Sequence, residues 1–128
     1  MTATRLHLAL AALMGFAGVA LLAAAAHVAA DPGHVQIAGQ MLLFHASVVI
    51  GATAARRGGH LHDLLARVAL SAIIVGACLF SADLARRGFG GTALFPRAAP
   101  TGGWFMLLGW LGLAVAAVLS KPPADRAY

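Results

Sequence analysis

The stretch from Leu6 to Ala30, LHLALAALMGFAGVALLAAAAHVAA, carries no charged side chain apart from any proton taken up by His7 or His27. A hydrocarbon core about 30 Å thick is crossed by roughly 20 apolar residues rising 1.5 Å each. This run is long enough and apolar on every side, so it reads as a membrane-spanning helix. A cleaved signal peptide is the rival reading, because Arg5 precedes the run and its Ala-rich end near His27 resembles a small-residue cleavage site. Signal h-regions are about 7–15 residues long. The apolar run from Leu8 to Ala26 exceeds that, which favours an anchor.

Three further runs repeat the pattern. Asp31-Pro32-Gly33 makes a turn, and no formal charge occurs from Val35 to Ala55. The polar segment Arg56-Arg57-Gly58-Gly59-His60-Leu61-His62-Asp63 separates this from a third run over Leu64 to Ala82. Arg67 lies in the first turn of that third run, where a long side chain snorkels to the interface. Asp83 to Gly102 reads as a connection, with glycines, Pro96 and Pro100 along it. The fourth run covers Gly103 to Ser120 and stops at Lys121-Pro122-Pro123, since proline lacks the amide that continues a helix. The expectation is an all-α integral membrane four-helix bundle. It is a single domain over residues 1–128, with spans at about 6–30, 35–55, 64–82 and 103–120. Spanning β-strands would alternate over segments of about ten residues, and these runs do not.

Composition agrees. The chain is 61% hydrophobic and 10% charged, with a mean hydropathy of +0.86. A soluble domain carries about 25% charged residues. The isoelectric point near 11.2 reflects nine Lys/Arg against four Asp/Glu. The cations are scattered between apolar runs with no basic stripe, so nucleic acid is not an expected partner. Cys78 is the single cysteine and has no internal disulfide partner. Cytoplasmic loops carry an excess of Lys/Arg. The side of the termini would hold Arg5, Arg56, Arg57, Arg67, Lys121 and Arg126, and the other side Arg86, Arg87 and Arg97. Six against three predicts both termini in the cytoplasm.

Helices in lipid associate through close packing of small residues, because lipid tails are as apolar as leucine. Ala11, Gly15, Gly18 and Ala23–Ala26 line the first run. Ala72, Gly76, Ala77 and Ser81 line the third, and Gly109, Gly112, Ala116 and Ser120 the fourth. These faces are expected to point into the bundle. Trp104 suits the membrane interface, and Trp110, six residues deeper, is expected to pack against a helix.

The chain resembles the domain-of-unknown-function 423 family, small inner-membrane proteins taken to have four spans. The similarity rests on the run from Gly15 to His27, on Phe44-His45-Ala46, on Leu79-Phe80-Ser81, and on Pro100-Thr101-Gly102-Gly103 followed by Phe105 and Gly109-Trp110. After Leu-Phe-Ser the family usually continues Gly-Ser, where this chain has Ala82-Asp83. The resemblance implies fold and a bacterial inner-membrane location, and it supplies no catalytic residue.

His27 and His45 are the ionisable groups that stand out within the spans. Two histidines on neighbouring helices are candidate ligands for haem or another metal. Their difference in depth, near 10 Å by rise per residue, opposes a shared metal. The plainer expectation is a neutral, hydrogen-bonded ring in each case. Gln40, Ser47 or Ser81 would serve His45, and Asp31, His34 or Asp83 would serve His27. His60-Leu61-His62-Asp63 lacks further ligands for a tetrahedral site. No nucleophile–base set, phosphate loop or polar path is visible. The expected function is therefore that of a non-enzymatic accessory or structural subunit without a cofactor or metal. It would act in the bilayer through contacts with itself or with other membrane subunits. His-dependent cofactor or ion handling and small-solute transport are the alternatives.

Overall fold

A computed structural model describes residues 1–121 of the chain, so Arg126 lies outside the described residues. Four helices follow one another: α1 (Ala3–His27), α2 (Pro32–Arg57), α3 (Asp63–Gly88) and α4 (Ala98–Val118). Each is long and apolar enough to cross a bilayer. At 1.5 Å per residue they measure about 32–39 Å, somewhat more than a hydrocarbon core.

The extra length comes from ends that are polar and still helical. The Thr2 hydroxyl accepts the Arg5 amide at 3.3 Å and starts α1 three residues before Leu6. Asp31 caps α2 by accepting the His34 amide, and Pro32 occupies the first turn, where its missing amide costs nothing. His62 caps α3 through Nδ1, which accepts the Leu65 amide. The largest departure from expectation lies between α3 and α4. Helix α3 continues through Asp83, Arg86 and Arg87 to Gly88, and α4 begins at Ala98, ahead of Pro100. The expected connection of residues 83–102 thus shrinks to Phe89–Arg97. Pro100 sits in the first turn of α4 and breaks nothing there. At the other ends, α1 stops at His27 rather than Ala30, and α4 stops at Val118 rather than Ser120.

Successive helices run antiparallel. Helix α1 lies along α2, α2 along α3, and α3 along α4, while α1 touches α3 only slightly. Helices α2 and α3 form the inner pair, and α1 and α4 flank it. A shared core joins Met14 of α1, Leu42 and Val49 of α2, Leu70 and Ile73 of α3, and Met106 of α4.

Two seams bring backbone against backbone. A Cβ added to Gly76 would lie 2.6 Å from the Gly102 carbonyl oxygen, and one on Gly102 would lie 2.6 Å from that of Gly76. Only glycine fits at either position, and α3 and α4 touch there. The α1–α2 seam repeats the device with Gly18 and Gly39, each 2.9 Å from the other's carbonyl oxygen by the same measure. Small residues thus mark the interior where they meet another small residue. The Ala23–Ala26 run does not, and its members are exposed or half-buried.

Candidate functional site

The polar side chains fall into three groups, one at mid-depth and one at each end of the helices.

At mid-depth His45 is buried on α2. Its Nδ1 lies 2.8 Å from the Met41 carbonyl oxygen, an acceptor, so Nδ1 carries a proton and donates it there. The Trp110 indole donates to Nε2 at 3.3 Å, so Nε2 is the bare, accepting nitrogen. This pattern describes a neutral imidazole with both nitrogens engaged. The rings also meet edge to face, with centroids 6.2 Å apart. The partners differ from those expected. Ser47 donates to the Leu43 carbonyl of its own helix, and the Ser81 hydroxyl is buried without a partner among the described residues. Trp110 itself is half exposed, while its N–H reaches His45.

His27 is the last residue of α1 and is exposed. His45 lies thirteen residues into α2, which begins at the end of the molecule where α1 stops. That places the two rings about 20 Å apart along the helix axis, more than the sequence implied, because α2 starts at Pro32. A metal reaches a histidine nitrogen at about 2.0–2.1 Å, so these two cannot share one. Asp31 pairs with His34 rather than with His27, and Asp83 is taken by other partners. Among the described residues no three His, Cys, Asp or Glu side chains gather closely enough to hold a metal ion. His62 is used as a helix cap.

The end where α1 and α3 begin holds a cluster that the sequence did not announce. Arg56, expected in a polar connection, is buried with a side chain only 1% exposed. Its Nη1 donates to Asp63 at 2.6 Å and its Nη2 to the Thr4 hydroxyl at 2.7 Å. One guanidinium thus joins α1, α2 and α3. Asp63 also accepts from Arg67, one turn further along α3, at 2.7 Å. Deeper in, Ser71 donates to the Arg67 carbonyl at 2.8 Å, which leaves its oxygen to accept from His7 Nε2 at 3.1 Å. His7 Nδ1, Thr53 Oγ1 and Arg56 Nε are buried there with no protein partner among the described residues.

The opposite end is built around Asp83, which is completely buried. Its carboxylate accepts the Leu94 amide at 2.8 Å and Arg87 Nε at 3.0 Å. The first bond fastens the α3–α4 connection to α3. The Asp31 amide donates to the Gly88 carbonyl at 2.9 Å, fastening the α1–α2 corner to the same end. Asp31 is exposed outside the helices, and the hydrogen bond from the His34 side chain holds its carboxyl below the usual carboxylate range. The sequence pattern points to a loop at Asp83, whereas the residue lies on α3 and anchors the connection that follows. The one available signal was the four-residue spacing of Asp83 and Arg87, which pairs such side chains only on a helix.

None of these groups forms a nucleophile–base pair. His45 and Trp110 join α2 to α4, Arg56 and Asp63 join the first three helices, and Asp83 anchors a connection. A family described as protein of unknown function (DUF423) matches residues 21–103, well over half of the chain. The match runs from the last two turns of α1 to the first turns of α4. No curated protein and no solved structure matches the chain.

Proposed function

The chain belongs to the DUF423 family of proteins of unknown function, and from that premise we propose that it is a multi-pass protein of the bacterial inner membrane that works by contact. It serves as an accessory or structural subunit, packing with itself or with a larger membrane assembly, and it is not an enzyme. The observation that carries this reading is the state of His45. It is the histidine at mid-depth, and both of its ring nitrogens are engaged, Nδ1 with the Met41 carbonyl of its own helix and Nε2 with Trp110 across to α4. At the two ends Arg56 with Asp63 and Asp83 with Arg87 likewise fasten segments of the chain together. What stays free is an apolar flank on α1 and α4, with Phe16, Trp104, Leu107 and Leu111 well exposed. Lipid or another helix covers such a surface in a membrane.

The placement of charge supports an orientation. Arg5, Arg56, Arg57, Arg67 and Lys121 lie toward the end where α1 starts and α4 stops, against Arg86, Arg87 and Arg97 at the other. The cation-rich end is the cytoplasmic one by the positive-inside tendency, which puts the start of α1 in the cytoplasm. Purification from native membranes in a gentle detergent tests the functional reading. A stoichiometric partner or a self-assembled oligomer is expected. Recovery of monomer alone, or of a sample with haem absorption, would overturn it.

A further inference from the structure

Arg5 of α1, Arg57 of α2 and Arg67 of α3 surround an open depression of about 480 Å³ at the cation-rich end, whose floor is Thr2, Ala3 and Thr4. We propose that this depression is a binding site for a phosphate-bearing anion, supplied in the membrane by the headgroup of an acidic phospholipid. The inference rests on the reading that the helices span a bilayer, and it goes beyond the accessory role.

Three observations converge. First, charge is in excess. Among the described residues Arg5, Arg56, Arg57 and Arg67 meet a single carboxylate here, Asp63, whose oxygens are taken by Arg56 and Arg67. Arg5 and Arg57 have no acidic partner among the described residues. Second, the first turn of α1 opens onto the same space. It carries no acidic residue; the Thr2 hydroxyl takes the Arg5 amide, and the amides before it have no partner within their own helix. Amides and helix dipole both favour an anion at that point. Third, the cluster is braced from below. Arg56 is fully buried and holds Thr4 and Asp63 in place, so three helices present their cations on a fixed frame. The volume falls within the roughly 300–1,000 Å³ of sites that take small ligands. Depth agrees as well. The depression lies at the end of helices longer than the hydrocarbon core, which is the level of phosphates, and basic pockets at cytoplasmic helix ends suit acidic headgroups. At the opposite end Arg87 is paired with Asp83, and the depression between the end of α1 and the start of α2, lined by Leu22, Ala25, Ala26, Pro32 and Gln36, has no arginine.

The test uses the purified full chain in a neutral detergent, with native mass spectrometry to count bound lipid. Phosphatidylglycerol, phosphatidylcholine and inorganic phosphate are titrated separately and in competition. Arg5→Gln/Arg57→Gln is the diagnostic variant, since neither side chain has an acidic partner whose loss would disturb folding. Arg86→Gln is the control. The wild type is expected to hold phosphatidylglycerol in preference to phosphatidylcholine. Each interfacial arginine contributes on the order of fivefold to binding of acidic lipid, so the double variant loses about thirtyfold. R86Q binds like the wild type. Competition by millimolar phosphate would assign the site to a free anion and uphold the phosphate chemistry, and its absence assigns the site to lipid. Equal binding of the two lipids, or an unchanged affinity in a double variant whose helicity matches the wild type, overturns the proposal. Carbonate extraction of native membranes is run alongside. Release of the chain into the soluble fraction would defeat the membrane reading itself, separately from the lipid result.

Discussion

The two ends of the molecule solve one problem with opposite signs. At the end where α1 begins, a buried cation, Arg56, is served by Asp63, whose side chain is 57% exposed. At the other end a fully buried anion, Asp83, is served by Arg87, 45% exposed. In both, the inner member joins segments of the chain and the outer member stands in contact with solvent. The difference lies in what else supports the inner charge. Asp83 also receives a backbone amide, that of Leu94. Arg56 has a neutral hydroxyl, that of Thr4, and further arginines nearby. The buried anion is therefore self-sufficient, while the cationic end carries the larger surplus of charge and a place to receive an anion.

Removing the outer partners separates these two cases. Asp63→Ala strands Arg56 among like charges and frees Arg67 as well, so it should produce the largest effect. Breaking a buried pair costs 3–5 kcal/mol. With Asp63 partly in solvent, about 3 kcal/mol is expected at the low end of that range. Unfolding in mixed micelles by titration with a denaturing detergent measures it. Arg56→Met sharpens the result, because it removes the buried charge together with its need for a partner. It should cost clearly less than D63A, and an equal or greater cost would mean that Arg56 holds the helices by more than its charge. Arg87→Ala should lose about 2 kcal/mol, since Asp83 keeps the Leu94 amide while losing its cation. If R87A proves the more damaging, the two ends are not distinguished by their second partners.

Between the ends, Trp110→Phe keeps the aromatic contact with His45 and deletes the N–H that serves Nε2. Interhelical hydrogen bonds in membranes average about 0.6 kcal/mol, so a loss of that order is expected in the same assay. A loss near 3 kcal/mol would make the middle, rather than the ends, the principal polar fastening.

Much of this was legible in the sequence and some could not be. Charge-free runs announce helices because a bilayer admits few other forms. The small residues Gly18, Gly76 and Gly109 announce faces because backbones approach only where side chains are absent. Helix limits were misjudged for a physical reason. Charged residues and an early proline signal the end of the apolar run, whereas a helix ends where its backbone hydrogen bonds stop. Asp83, Arg86 and Arg87 therefore belong to α3, and Pro100 to α4. The ends were illegible because their partners are remote. Arg56 depends on Thr4, fifty-two residues away, and His45 on Trp110, sixty-five residues away. Burial of a charge is decided by such meetings, and no local pattern encodes them.

The smallest expected effect concerns the corner beside the anionic end. Asp31 caps α2, and its depressed pKa arises first from the His34 side chain and then from the His34 amide. A carboxyl depressed on folding contributes stability that is present above its unfolded value near 3.9 and is lost as pH falls through the lower folded value. Asp31→Asn retains a side-chain acceptor of nearly equal capping strength and removes the charge that titrates. Helicity near neutral pH should therefore match the wild type. On acidification through the carboxylate range, the wild type should lose more helicity than the variant, followed by circular dichroism in micelles. If both chains respond alike, the Asp31 cap is not the source of the acid sensitivity.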